Sequence, residues 1–249
     1  MAGHNKWKQI KRKKAVVDAK RGAKFTKLIK EITVAARDGG GDPDGNPRLR
    51  TAIDGAKAEN MPADNIERAI KKGTGELEGV TYEEAIYEGY GPGGAAIMVQ
   101  VTSDNLNRTV AAVRHAFSKS GGSLGEPNSV AWLFEKRGQI SIDATRYPED
   151  AVMEAALNAG ADDMSTDGDL HVIVTQPTNL HAVREALTNG GVEVEEAALA
   201  LVPTTTVLVE GKDAERLLKL MDTLEEHEDV SQVFSNFDID AATLAAVGG

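Results

Sequence analysis

The chain has no cysteine in 249 residues, which excludes disulfides, thiolate metal sites and a cysteine nucleophile, and fits a reducing compartment. Aromatic residues make up only 4%, so Ala, Val, Ile and Leu must build the cores. No apolar run approaches the ~18 residues that a membrane-spanning helix needs. No apolar stretch follows the basic N-terminus as it would in a secretory signal. An organelle transit peptide is also basic and acid-poor, and charge alone leaves that reading open. His4, His115, His171, His181 and His227 are scattered, whereas a zinc site needs about four converging ligands. No nucleotide fingerprint and no ordered Ser-His-Asp set is present, and the many paired carboxylates single out no general acid and base. The expectation is a non-enzyme with no cofactor, no metal and no implied small molecule, cytoplasmic, with a monomer favoured.

What the chain does have is segregated charge. Residues 1–37 carry twelve Lys and Arg against Asp18 and Glu31, a net +10. Residues 38–78 stand at −3, and residues 79–249, with ten basic and twenty-eight acidic residues, at −18. This polarity points to a polyanion held at the N-terminal end by a body that does not attract it. Lys and Arg neutralise phosphates and release counterions, a sequence-independent source of affinity. Trp7 offers a ring to stack on an unpaired base. The candidate nucleic-acid contacts are therefore Lys6, Trp7, Lys8, Lys11, Arg12, Lys13, Lys14, Lys20, Arg21, Lys24 and Lys27. Arg48 and Arg50 near a helix start, and Lys71 and Lys72 at a helix end, widen the set; the lysine pair equally suits the helix dipole.

Periodicity divides the chain. Residues 1–14 show no apolar period and are expected to form a flexible arm. A helix is expected from about Ala19, with Phe25, Leu28, Ile29, Ile32 and Ala36 on one face and lysines, Lys30 among them, on the remaining surface. Asp42-Pro43-Asp44-Gly45-Asn46 reads as an interhelical turn, because Ile53 stands where a calcium loop needs a bidentate Glu. Asn46 caps a second helix with Pro47 at its first position, and a third runs from Pro62 to Gly73. After Gly79 strands and helices alternate. Gly91-Pro92-Gly93-Gly94 reads as a tight turn, since it lacks the Lys-Ser/Thr of a P-loop. From Gln139 to Val202 the order is strand, helix, strand, strand, helix, strand, a ferredoxin-like unit. Ser129–Phe134 also reads as a strand, at the junction. The flanks, strand-strand-helix before the unit and strand-helix-strand after it from Thr205–Glu210 onward, are incomplete alone and supply four strands and two helices together. The expected architecture is α+β: a basic helical domain at 1–78, a discontinuous α+β domain at 79–130 and 204–240, and a ferredoxin-like domain inserted at 131–203.

Gly3-His4-Asn5-Lys6-Trp7, Asp18-Ala19-Lys20-Arg21-Gly22, Asn46-Pro47-Arg48-Leu49-Arg50, Asn60-Met61-Pro62, Asp64 to Gly73, Tyr87 to Gly94, and Asp104-Asn105 with Asn107-Arg108-Thr109 together resemble the YebC family over nearly the whole chain. Asn128 departs from the family, which has Gly before Ser-Val and so a left-handed turn more readily. The resemblance implies a helical domain followed by two α+β domains, and a nucleic-acid-binding regulator of gene expression. Some relatives are described as DNA-binding transcriptional regulators, others as translational activators acting on messenger RNA or the ribosome. The first description is taken as the leading reading. A ligand-sensing or protein-interaction module is the alternative of another class. Asp104 is expected to cap a helix, and the polar residues around Arg108 form a minor candidate for ligand or partner contact.

Overall fold

The computed structural model describes residues 17–239 and residue 243, with side chains from Gly22 onward apart from Asp167. The arm expected over residues 1–14 lies outside this range. Three helices come first: α1 (Val17–Gly39), α2 (Pro47–Ala58) and α3 (Ala63–Gly73). Their apolar residues recur three and four apart, so each helix presents one stripe. The stripes close on Ile32, Ala35, Ala36, Leu49, Ala52, Ile53, Ala56, Met61, Ile66 and Ala69, with Phe25, Leu28, Ile29 and Ile70 at the margin. Asn46 joins α1 to α2. Its oxygen accepts the Leu49 N–H at 3.1 Å as the cap of α2, and its amide nitrogen donates to the Ala35 and Gly40 carbonyls at the end of α1. Gly73 lies where α3 crosses α1, and a Cβ there would collide with the Thr33 carbonyl oxygen.

The chain continues as β1 (Glu83–Tyr90), β2 (Ala96–Ser103), α4 (Leu106–Lys119), β3 (Ser123–Leu124), β4 (Phe134–Asp143), α5 (Glu149–Asn158), β5 (Asp163–Asp167), β6 (Leu170–Thr175), α6 (Leu180–Asn189), β7 (Glu196–Pro203), β8 (Val207–Leu208), α7 (Gly211–Glu226), β9 (Val230–Ser235) and β10 (Phe237–Asp238). Strands β4 to β7 pair in the order β5-β6-β4-β7, every neighbour antiparallel, as a ferredoxin-like unit requires. Helices α5 and α6 pack on one face of this sheet through Val152, Ala156, Val183 and Leu187 against Ile140, Ile142, Met164 and Ile173.

The second sheet has the order β3-β1-β2-β9, so it joins strands from both sides of the unit just described. Helices α4 and α7 cover one face through Val113, Phe117, Leu217, Leu220, Met221 and Leu224. Ala96, Met98 and Phe234 on the other face meet Val130, Phe134 and Ala200, so the inserted unit leans on the sheet it interrupts.

Two details differ from expectation. The strand expected at Thr205–Glu210 contributes only Val207–Leu208, which pairs in parallel with β10 outside the main sheet. The fourth place in that sheet goes to β3, because Gly121 (φ +84) turns the chain directly after α4 and lays Ser123 and Leu124 along β1. The strand expected at Ser129–Phe134 is instead a 3-10 turn, Ala131–Leu133, leading straight into β4.

The cause of that turn is Glu88. This carboxylate is buried in β1 and accepts the backbone N–H groups of Asn128 at 2.7 Å, Val130 at 2.8 Å and Ala131 at 2.8 Å. Donors bound to Glu88 are not available to a neighbouring strand. Asn128 takes the left-handed conformation (φ +68), so the left-handed turn forms with Asn at this position. Replacing Glu88 with Ala strands three donors where the chain passes into the inserted unit. The expected result is a loss of about 3 kcal/mol in denaturant unfolding, with faster hydrogen exchange at Asn128, Val130 and Ala131 than elsewhere.

Candidate nucleic-acid interface

Helix α1 carries a second stripe beside the apolar one. Lys27, Lys30, Val34 and Arg37 also recur three and four apart, and they face the α+β body. Lys27 Nζ donates to the Glu225 carbonyl at 2.5 Å and Lys30 Nζ to the Glu228 carbonyl at 3.1 Å. Both thus stand at the end of α7, where helix carbonyls lack partners and positive charge suits the dipole. Val34 is 1% exposed, and Arg37 reaches the Tyr82 carbonyl.

At the centre of this contact is Asp229, whose side chain is 1% exposed. Lys30 Nζ lies 2.5 Å from its Oδ1, while Oδ2 accepts from Thr109 Oγ1 at 2.7 Å, Ser103 Oγ at 3.1 Å and Arg108 Nη2 at 3.2 Å. Burial alone would raise the Asp229 pKa. Hydrogen bonds from Lys30, Thr109 and Arg108, with the charge of Lys30, outweigh burial and hold it well below the usual carboxylate range. Lys30 also stands 5.6 Å from the centre of the Tyr82 ring. One buried carboxylate therefore ties α1 to β2, to α4 and to the turn before β9.

The expected helix cap beside this cluster is one residue off. Asn105, not Asp104, accepts the Arg108 N–H at 3.1 Å, because the Ser103 hydroxyl accepts the Asn105 N–H and sets its extended backbone. Asp104 instead pairs with the Arg108 guanidinium at 2.5 Å.

The remaining candidates have distinct places. Lys24 is exposed and pairs with Glu59. Arg48 is clasped by Glu31 of α1 at 2.8 Å and Glu84 of β1 at 2.6 Å, bonds that raise its pKa further. Arg50 donates to the Pro43 and Asp44 carbonyls at 3.0 and 2.8 Å and so closes the α1–α2 turn. Lys71 pairs with Glu67 one turn back at 2.6 Å, while Lys72 is exposed. Lys6, Trp7, Lys8, Lys11, Arg12, Lys13 and Lys14 lie outside the described residues, and the side chains of Lys20 and Arg21 lie outside those described. Sequence reasoning missed Lys30 and Asp229 as partners. The available signal was the second stripe on α1 and the polar run Ser103, Asn105, Thr109 before an otherwise apolar helix face. Among the described residues, no group of three or more metal-ligating side chains gathers, and no helix is long and apolar enough to cross a membrane.

This arrangement, a helical bundle with a basic leading helix latched onto two α+β sheets, defines a class with known members. The TACO1/YebC protein N-terminal domain matches residues 5–76, and the TACO1/YebC second and third domain matches residues 82–237. The chain is 58% identical over 239 residues to a "Probable transcriptional regulatory protein" of Desulfatibacillum aliphaticivorans, covering 96% of this chain and 97% of that one. A protein of the same description from Gemmatimonas aurantiaca is 59% identical over 245 residues, covering 98% and 99%. Among solved structures, the crystal structure of a conserved hypothetical protein, Aq1575, from Aquifex aeolicus superimposes with a TM-score of 0.85 at 50% identity, covering 90% of this chain and 93% of that one. The chain belongs to the TACO1/YebC family, whose α+β architecture it shares.

The latch is testable. Asp229→Asn leaves the Lys30 ammonium buried without its counter-charge and is expected to cost about 3 kcal/mol. Lys30→Met is expected to cost a similar amount, and the double variant less than the sum, with a coupling of about 1–3 kcal/mol. Because the folded pKa of Asp229 is depressed, its stabilisation is present above the unfolded pKa of about 3.9 and is lost as pH falls below it. Denaturant unfolding is expected to separate wild type from Asp229→Asn fully at pH 7 and progressively less below about pH 4.

Proposed function

We propose that this protein is a nucleic-acid-binding regulator of gene expression, with a DNA-binding transcriptional regulator as the leading form. The observation that carries this reading is the segregation of +10 in residues 1–37 from −18 in residues 79–249. The names borne by the relatives support it. In this reading the chain divides into a helical domain at 1–78, a discontinuous α+β domain at 79–130 and 204–240, and an inserted domain at 131–203. It works as a cytoplasmic monomer without a catalytic step. Labour along the basic segment is also divided. Lys27, Lys30, Arg37, Arg48 and Arg50 hold the helical part together and to the body. The phosphate contacts fall to the arm, Lys6 to Lys14, with Trp7, Lys20, Arg21 and Lys72, while Lys24 and Lys71 are engaged by Glu59 and Glu67.

One observation favours a second form, a translational activator acting on RNA. From Phe25 to Arg37, α1 is covered by α2 and α3 on one side and by the α+β body on another, so this stretch cannot enter a DNA major groove as a recognition helix. Contact through the backbone suits RNA as well as DNA.

Two measurements test the function and choose between its forms. With ~6 phosphate contacts, log K against log salt is expected to slope near −4 on single strands and near −5 on duplex. Replacing Lys11, Arg12, Lys13 and Lys14 with Ala is expected to flatten that slope with the melting temperature unchanged; an unchanged slope moves the contacts off the arm. Ultraviolet crosslinking in cells, with the same variant as control, is expected to recover promoter DNA for the transcriptional form. Messenger or ribosomal RNA lost in the variant would replace that form with the translational one.

A further inference from the structure

The body is acidic, but one of its helices is not. Residues 105–125 contain no Asp or Glu, although residues 79–249 hold twenty-eight. They also carry three of the ten basic residues of that span, Arg108, Arg114 and Lys119, all on α4. Thr109, Val113, Ala116 and Phe117 commit one side of α4 to the core, so helical geometry turns Arg108, Arg114, His115 and Lys119 outward, and all four are exposed. Arg114 and Lys119 have no ion pair among the described residues, whereas Arg108 is held by Asp104 and Asp229. The neighbouring helices differ. On α7, Lys212, Arg216 and Lys219 are interspersed with Asp213, Glu215 and Glu226, and α5 carries Glu149, Asp150 and Glu154 with no base.

Helix α4 is also joined to the basic end of the chain. Asp229 accepts Lys30 of α1 at 2.5 Å and Arg108 of α4 at 3.2 Å, so the two cationic helices meet across one buried carboxylate. We infer that the outer face of α4, flanked by Arg114 and Lys119, is a second phosphate-contacting surface that continues the N-terminal basic segment along a nucleic-acid backbone. This rests on the nucleic-acid reading above. The exposed face of α4 has no Phe, Tyr or Trp to stack on a base, and Arg114 and Lys119 are cations, which suit phosphate rather than base edges.

The test is a set of fluorescence-anisotropy titrations with the full-length chain, a labelled mixed-sequence RNA strand and a labelled DNA duplex, across a range of salt. Arg114→Gln with Lys119→Gln removes two contacts and is expected to reduce the salt slope by about 1.4 on the single strand or about 1.8 on the duplex. Lys119→Gln alone is expected to give half that change. The charge-matched control, Lys212→Gln with Lys219→Gln, and the charge-keeping swap, Arg114→Lys with Lys119→Arg, are expected to leave the slope at the wild-type value. Thermal melts of all variants are expected to coincide, since the substituted side chains are exposed. A wild-type slope in the α4 pair, while the arm variant flattens it, overturns the α4 surface and leaves the proposed function standing; a cationic dock for an acidic protein would then be the reading of this face. An equal loss in the α7 control overturns it too, by showing a general field effect. No binding by the wild-type chain to either probe overturns both.

Discussion

The basic helix is seated on the acidic body at a buried ion pair, Lys30–Asp229. A carboxylate and an ammonium taken out of water are costly, and their mutual attraction repays this only when the remaining hydrogen-bonding capacity is also filled. Asp229 meets that condition with Ser103, Arg108 and Thr109, and Lys30 with the Glu228 carbonyl and the Tyr82 ring. Such a pair adds less net stability than an apolar contact of the same size, but it tolerates very few geometries. The weaker ties around it, Arg37 to Tyr82, Arg48 to Glu84 and Arg184 to Asp54 at 3.3 Å, then need only hold an orientation already set.

The latch changes how positive charge along the chain is counted. A cation is useful to a phosphate only where it is not already satisfied. By that criterion the second half of α1 is structural, which is why the phosphate contacts are proposed on the arm and the start of the helix, with α4 inferred as a further surface. The acidic body is more than a solubilising surface, since its carboxylates and its helix carbonyls organise the cations of the helical part.

Much of the fold was readable because its signals are local. The stripe Phe25, Leu28, Ile29, Ile32, Ala36 needs only helical periodicity, and Asn46-Pro47 carries the chemistry of a helix start on its face. The inserted unit was readable from element order alone, because β-α-β-β-α-β has few ways to close. What was not readable depended on groups far apart in sequence. Lys27 and Lys30 look like any surface lysines until residues 225–229 are placed beside them. Glu88 looks like a strand-face carboxylate until the chain forty residues later folds onto it. The edge position of β3 and the withdrawal of β8 from the main sheet turn on two-residue ladders, which leave almost no periodicity to detect. For the candidate site, the basic character was legible and the division between free and engaged cations was not.

The pairing of β2 with β9 places Ile97 opposite Ser235, with the whole inserted unit between them in the chain. That unit has all its strand partners within residues 134–203 and can close its sheet as soon as they are available. The outer sheet cannot. Until the last strand arrives, β2 presents the edge of Ala96–Ser103, an apolar strand that invites pairing with another chain. Non-local pairings of this kind form late, because the intervening loop has to close first. The residue that completes the latch, Asp229, immediately precedes that final strand. As the chain leaves the ribosome, the outer sheet and the seat for the basic helix therefore both wait on residues 229–235, and α1 stays unlatched until that segment has been made.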